Sequence, residues 1–160
     1  MNKEWHDPAE LIRLTVQSLR RPLSGHTIQF EIVDDLPLIH ADYRLIEHAL
    51  SNLLLNASIY AGSASPITVA ARVLDGCLEM SVSDFGPGIP AESLTRIFEK
   101  FYRVPGSPAG GTGLGLFITQ SLVQAHGGQA RVSNRRTGGA EFIISLPLEN
   151  PPALPREAVA

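Results

Sequence analysis

An acidic side chain, Asp84, stands where a predicted strand ends, and two glycines, Gly86 and Gly88, follow it closely. Glycine tolerates positive φ and lets another molecule come close to the main chain. A carboxylate at such a turn can accept a hydrogen bond from a bound group. The same pattern is also typical of an ordinary turn, so this stretch alone leaves both interpretations open.

Polar side chains recur at four-residue steps in a long predicted helix, at His48, Asn52, Asn56 and Tyr60. Residues at this spacing lie along one side of an α-helix. Asparagine is a poor helix former, so two of them in mid-helix need an explanation. The stripe is compatible with a solvated polar face, or with oxygen ligands directed at a hard cation such as Mg²⁺.

A glycine-rich segment, 110–116, leads directly into another predicted helix. Free N–H groups at a helix N-terminus, together with the helix dipole, form an anion site, and glycines let phosphate oxygens reach them. The segment is not a P-loop, and it does not follow a strand as a dinucleotide-binding turn would. A hinge remains an alternative, but the direct entry into a helix favours anion binding.

An aromatic and basic segment, 98–103, lies between these groups. Its aromatic residues are expected to pack, and Lys100 and Arg103 are the basic residues nearest the glycine-rich loop. The two cations predict either a solvated pair or contacts with the terminal phosphates of a nucleotide.

Alternating helices and strands are predicted to position these residues. Tight turns at Asp75-Gly76 and around Gly138-Gly139 join neighbouring strands, which favours a mixed and largely antiparallel sheet. Three amphipathic helices should cover one face, giving an α+β two-layer sandwich. The predicted helices are 8–19, Tyr43–Tyr60, 91–98 and 114–126, and the predicted strands are 27–33, 36–40, 67–73, 78–83, 130–134 and 141–146.

Length and composition limit the class of protein. The 160 residues fit one domain, predicted to span 1–147, followed by a Pro-rich and disordered tail at 148–160. A net charge of −3 without a basic block argues against a nucleic-acid partner or direct membrane contact. One cysteine, Cys77, excludes an internal disulfide. Because no long apolar run or signal peptide is present, the domain is expected to be cytoplasmic.

In this order, the motifs resemble the ATP-binding catalytic domain of bacterial sensor histidine kinases, in the superfamily that also holds DNA gyrase, Hsp90 and MutL. The resemblance covers roughly residues 5–147. The local sequence is most similar to that of the potassium- and turgor-sensing Kdp-type kinases. The segments that resemble the family's motifs are 48–60 (N box), 84–88 (first glycine box), 98–103 (F box) and 111–116 (second glycine box).

The resemblance implies a Bergerat-type fold with a pocket for ATP and Mg²⁺. Asp84 would accept the adenine amine, Asn56 would hold Mg²⁺, and Tyr60 would stack on adenine. Residues 104–112 would form the ATP lid. The implied nucleotide-binding residues are Asn52, Asn56, Tyr60, Asp84, Gly86, Gly88, Ile89, Phe98, Gly111, Thr112, Gly113, Leu114, Gly115 and Leu116, and the implied catalytic residues are Asn52, Lys100 and Arg103.

Two positions depart from the family pattern. The gyrase branch has a water-activating Glu where this chain has Asn52, which cannot act as a base, so phosphoryl transfer is favoured over hydrolysis. The family usually carries Lys or Arg just before the stacking aromatic residue, and here that position is Ile59. Arg103 or Lys100 would have to compensate for the missing phosphate contact.

The phosphoacceptor is expected outside this chain, because none of its histidines begins the acceptor pattern. The implied partner is a helical dimerisation domain of the same kinase, with a response regulator reached indirectly. The parent kinase is expected to be anchored in the inner membrane, and the chain alone to be monomeric and unable to autophosphorylate. Two alternatives remain: a degenerate, non-catalytic nucleotide-binding or interaction module, and a stand-alone serine kinase of the anti-sigma type.

Overall fold

The computed structural model describes residues 1–62, 64–108 and 111–152. Its largest sheet has five strands in the order β2-β4-β5-β7-β6, and a separate two-stranded sheet joins β1 and β3. In chain order the elements are β1 (Glu4–His6), α1 (Pro8–Ser18), β2 (Ile28–Ile32), β3 (Ile39–Ala41), α2 (Tyr43–Tyr60), β4 (Ile67–Leu74), β5 (Cys77–Ser83), α3 (Ala91–Leu94), α4 (Gly115–Ala125), β6 (Gln129–Asn134) and β7 (Ala140–Pro147).

The five-stranded sheet is mixed, as predicted. β2 runs parallel to β4, and the β4–β5, β5–β7 and β6–β7 pairs are antiparallel. On β5 the side chains of Leu78, Met80 and Val82 are buried against the helical layer. These features confirm the α+β two-layer sandwich.

Helix α2 is central to the helical layer and matches its predicted bounds. Asp42 caps it by accepting a hydrogen bond from the Leu45 N–H at 3.3 Å. Its apolar side, including Leu50 and Leu54, is completely buried, and it packs against both α1 and α4. Since apolar and polar residues alternate with the helical period, burying one side fixes where the polar stripe points.

Two local predictions are corrected. The helix predicted over 91–98 ends at Leu94. The chain continues in turns, in which an N–H donates to the carbonyl three residues earlier, as Glu99 N does to Arg96 O at 2.9 Å. Residues 4–6 were not predicted as a strand, yet Glu4–His6 pairs with β3. So short a strand has too few residues to show alternation and is defined by its partner.

Residues just after the predicted domain boundary at 147 form hydrogen bonds with the rest of the fold. The Leu148 N–H donates to the Gly76 carbonyl at 3.0 Å, and Glu149 pairs with His40 Nδ1 at 2.6 Å. Residues 153–160, part of the predicted tail, lie outside the described residues, so disorder there stays a prediction. Among the described helices, none has the length and apolar composition needed to cross a membrane.

Glu149 gives the fold a pH dependence with a defined sign. The His40 hydrogen bond, aided by Lys3, holds the pKa of the Glu149 carboxyl below its ordinary value of 4.5. A lowered pKa stabilises the fold above the ordinary value, and this contribution disappears as the pH falls through the folded value. We therefore expect Glu149→Gln to make thermal stability fall less steeply below about pH 4.5. The same slope in both proteins would contradict the pairing.

The β6–β7 hairpin presses closely on the end of β5, and Gly139 permits the contact. Its φ is +86°, and a Cβ at this position would collide with the Asp84 carbonyl oxygen. Gly138, with φ +98°, has no atom within 4 Å of its would-be Cβ. Comparing substitutions at Gly138 and Gly139 therefore separates the cost of left-handed backbone from the cost of the close contact.

We expect Gly139→Ala to destabilise the protein by about 3–5 kcal/mol, since it adds a backbone collision to an unfavourable φ. Gly138→Ala should cost only about 1–2 kcal/mol, the cost of left-handed backbone alone. Denaturant unfolding of both variants measures the difference. Equal losses would mean that the hairpin does not touch the Asp84 backbone as described.

Candidate functional site

A cleft of about 320 Å³ opens between the C-terminal half of α2, the loop after β5 and the N-terminus of α4. It brings together residues that lie far apart in the sequence, and most of the predicted site is on its wall. The predicted residues that line it are Asn52, Asn56, Tyr60, Asp84, Gly88, Ile89, Arg103, Gly111, Thr112, Gly113, Gly115 and Leu116.

Asp84 lines this cleft and is 5% exposed. Its Oδ1 accepts hydrogen bonds from the Gly86 N–H at 2.9 Å and the Ala140 N–H at 3.2 Å. Its backbone N–H donates to the Ala140 carbonyl at 3.0 Å. In the part of the chain that the structure describes, no protein donor bonds Oδ2. One carboxylate oxygen therefore holds the side chain in place and the other is free to accept from a ligand.

Gly86 does not line the cleft but brings two of its walls together. A Cβ at Gly86 would collide with the Tyr60 carbonyl oxygen at the end of α2. The loop that begins at Asp84 therefore packs directly against the helix end that carries the Tyr60 ring. An aromatic ring and a carboxylate border the same space, which suits a planar group with an N–H donor at its edge.

The polar stripe of α2 reaches the cleft with Asn56 and Asn52, one and two turns before Tyr60, whereas His48 does not line it. Asn56 lines the cleft, and among the described residues its side chain has no hydrogen-bond partner. Asn52 also lines it and donates from Nδ2 to the Gly115 carbonyl at 3.2 Å. That bond ties α2 to the start of α4 and leaves the Asn52 amide oxygen without a protein partner among the described residues.

The opposite wall is the N-terminus of α4. The helix begins at Gly115, and its N-cap residue Leu114 makes no side-chain capping bond. The Thr112 hydroxyl accepts from the Leu114 N–H at 3.3 Å, one position outside the helix. Gly113 has φ +73°, and a Cβ there would lie 2.6 Å from the Phe101 carbonyl carbon. The uncapped first turn offers N–H groups to an anion, and only glycine fits at position 113.

The two predicted cations occupy different positions. Arg103 lines the cleft, and its guanidinium donates to the Pro108 carbonyl in the lid segment. Lys100 is not part of the lining; its ammonium lies over the rings of Phe101 at 5.3 Å and Phe117 at 5.8 Å. The structure thus brings Arg103, but not Lys100, to the cleft wall.

Two further predicted site residues, Phe98 and Leu114, do not line the cleft, whereas Ile59, the position that departs from the family pattern, does. Phe98 packs on the hydrophobic core, and Leu114 caps α4 without lining the cleft. Of the predicted lid, 104–112, residues 109 and 110 lie outside the described residues. Ile59 lines the cleft and is 53% exposed, so an apolar side chain stands on the cleft wall at this position.

Sequence reasoning missed several residues that shape the site. Pro87, Ile97, Tyr102, Ala140 and Phe142 line the cleft without having been predicted to do so. Their apolar character gave no signal beyond that of ordinary core residues. The Tyr102 hydroxyl forms a hydrogen bond of 2.7 Å with the hydroxyl of buried Ser93, which fixes the ring in the cleft wall.

His126 is held inside the fold and does not line the cleft. It is 5% exposed, its Nδ1 pairs with the Leu122 carbonyl at 2.8 Å, and its Nε2 accepts from the Asp42 N–H at 3.1 Å. These two contacts place the ring at the junction of α2 and α4. Among the described cleft-lining residues there is no histidine.

The fold and the site together define a class: a two-layer sandwich whose cleft joins a buried carboxylate, helical asparagines and an uncapped, glycine-led helix. Residues 41–150 match the family model described as histidine kinase-, DNA gyrase B- and HSP90-like ATPase. The chain belongs to this family.

Within the family, the chain is similar to sensor histidine kinases. It is 39% identical over 155 residues to the sensor protein KdpD of Escherichia coli, covering 96% of this chain and 17% of KdpD. The catalytic domain of the histidine kinase ThkA superposes with a TM-score of 0.83 at 28% identity, covering 92% of this chain and 98% of that domain. Full-length ShkA in complex with AMPPNP gives 0.82 at 29% identity, covering 96% of this chain and 32% of ShkA.

These comparisons confirm the resemblance predicted from the sequence, including its Kdp-type character. The chain spans 17% of the length of KdpD, so it corresponds to one part of such a protein. The part it matches is the catalytic ATPase domain of histidine kinases.

Proposed function

We propose that this domain binds ATP together with Mg²⁺ and donates the γ-phosphate to a histidine on a separate helical dimerisation domain of a two-component sensor kinase. The observation that carries this proposal is Asp84. Its Oδ1 is held by two backbone N–H groups, and its other oxygen is left for a ligand in a cleft that ends at an uncapped helix. A purine with an exocyclic amine meets Asp84, and a phosphate chain reaches α4.

The base is recognised by charge and shape. The Asp84 carboxylate accepts from the adenine amine but cannot pair with the guanine carbonyl at the equivalent position. The Tyr60 ring borders the same space and can stack on the base. Gly88 and Ile89 complete this wall. The domain therefore prefers adenine over guanine.

The donor set fits Mg²⁺. Asn52 and Asn56 line the cleft, and neutral amide oxygens suit a hard cation that keeps several waters and shares phosphate oxygens. Asn56 is the metal ligand in this proposal, and Asn52 lies beside it. When bound, Mg²⁺ neutralises phosphate charge.

Transfer in this site depends on positioning and charge rather than on a general base. The N–H groups of Gly113 and Gly115 face the phosphates, and Arg103 supplies the cation that Ile59 lacks. Lys100 contributes if it leaves the two aromatic rings when the lid closes. Since Asn52 cannot activate water, ATP persists until an acceptor arrives.

The acceptor and its context are also part of the proposal. A helical phosphoacceptor domain of the same kinase provides the histidine, and a response regulator then receives the phosphate from it. Because the donor is ATP, the domain works in the cytoplasm, with its parent kinase anchored in the inner membrane. Alone, the chain is a monomer.

Transfer is tested by mixing this chain with the helical domain of its parent kinase and ATP labelled at the γ-phosphate. We expect label on the helical domain that is lost in acid and kept in base, as for phosphohistidine. Arg103→Ala should slow the labelling, and Arg136→Ala, an exposed hairpin residue, should not. ATP binding without label would favour a non-catalytic module, and label on serine would favour an anti-sigma-type kinase.

A further inference from the structure

The side chain of Asn134, at the end of β6, pairs with both backbone groups of Ile89. Its Oδ1 accepts from the Ile89 N–H at 2.8 Å, and its Nδ2 donates to the Ile89 carbonyl at 2.7 Å. The amide thus reproduces the two-bond pairing that a neighbouring strand would make. Among the described residues, no other partner is found for these two backbone groups.

Ile89 needs such a partner because the loop around it cannot form regular structure. Gly88 precedes it with φ +77°, and Pro90 follows it. A Cβ at Gly88 would lie 2.9 Å from Asn134 Oδ1, so the amide also occupies the space on that side of the loop. The Ile89 side chain lines the cleft, whereas Asn134 does not.

We propose that Asn134 is a positioning residue for the nucleotide: it acts through Ile89 to hold the base-side wall of the cleft. The inference rests on the proposed function. Arg135, the next residue, supports the same loop, since its guanidinium lies 4.5 Å from the Phe85 ring and donates to the Asp84 carbonyl at 3.4 Å. Asn134 and Arg135 of the β6–β7 hairpin therefore hold the loop on the side away from the cleft. The ligand binds on the side that faces the cleft.

The test uses two substitutions that remove different parts of the contact. Asn134→Ala removes both hydrogen bonds. Asn134→Asp keeps an acceptor for the Ile89 N–H but loses the donor and places a negative charge beside the Ile89 carbonyl. Ser133→Ala, at the exposed neighbouring position on β6, is the matched control.

Exchange of the Ile89 amide proton, followed by NMR without ligand, reports the contact itself. We expect exchange about tenfold faster or more in Asn134→Ala, and near the wild-type rate in Asn134→Asp and Ser133→Ala. Because aspartate keeps the acceptor and alanine does not, this pattern would assign the protection of the Ile89 amide to Asn134 Oδ1. Unchanged exchange in Asn134→Ala would overturn the contact.

Calorimetry with ADP reports the positioning role. Both Asn134 variants should bind ADP about three- to tenfold more weakly than the wild type, the range for lost hydrogen bonds, and adenosine should lose the same factor. ADP affinity within twofold of wild type in Asn134→Ala would overturn the proposal. If the wild type itself bound no ADP, the proposed function would fall, and the Ile89 amide would still decide whether the contact exists.

Discussion

Replacing Asp84 with asparagine is expected to weaken ATP binding by about ten- to a hundredfold, the range for a hydrogen bond to a charged group. The asparagine Oδ1 can still accept from the Gly86 and Ala140 N–H groups that hold the native side chain. Its NH₂ group then replaces the free carboxylate oxygen and faces the adenine amine, donor against donor. The fold should survive, because the buried contacts are retained.

Asp75→Asn is the matched control for this substitution. Asp75 lies at the β4–β5 turn with φ +51°, a conformation that asparagine also tolerates, and it does not line the cleft. We expect its ATP affinity to equal that of the wild type in the same calorimetric titration. Unchanged affinity in Asp84→Asn, with an intact fold by circular dichroism, would show that Asp84 does not accept from the base.

Replacing Asn56 with alanine should remove the benefit of Mg²⁺ for ATP binding. Groups that merely support a metal ligand change affinity or activity by about 10- to 100-fold, so loss of a direct ligand should cost at least as much. Because the Asn56 side chain has no protein partner among the described residues, truncation leaves no buried group unpaired. Stability should therefore change little.

ATP affinity is measured with Mg²⁺ and with a chelator, for the wild type and for Asn56→Ala. The two proteins should bind ATP equally well in the chelator, and Asn56→Ala should bind it more weakly than the wild type with Mg²⁺. Asn150→Ala, an exposed asparagine near the end of the described chain, is the control and should behave as the wild type does. An equal gain from Mg²⁺ in wild type and Asn56→Ala would contradict the assignment of the metal ligand.

Much of the fold could be predicted because its signals are local. Helix α2 has a capping aspartate, Asp42, and an uninterrupted apolar period, so both its bounds and its buried side followed from the sequence. The alternation of Leu78, Met80 and Val82 likewise predicted β5 and the direction of its core face. Because α2 carries Asn56 and β5 ends directly before Asp84, predicting these elements also placed both residues at the cleft.

The remainder depends on contacts between distant residues, which have no local signal. β1 exists because Glu4–His6 pairs with β3, 33 or more residues away in the sequence. Asn134 reaches Ile89 across 45 residues, and its sequence neighbours suggest only a strand end. Lys100 lies over the rings of Phe101 and Phe117 instead of in the cleft, and Phe117 is 17 residues away in the sequence.

Calorimetric titration of the chain with ATP, ADP and GTP, each with and without Mg²⁺, tests the central claim most directly. We expect saturable binding of ATP and ADP, tighter ATP binding with Mg²⁺, and GTP binding weaker by about tenfold or more, because the Asp84 carboxylate cannot pair with the guanine carbonyl that stands where adenine has its amine. No saturation by either adenine nucleotide at millimolar concentration, or equal affinity for ATP and GTP, would contradict the account.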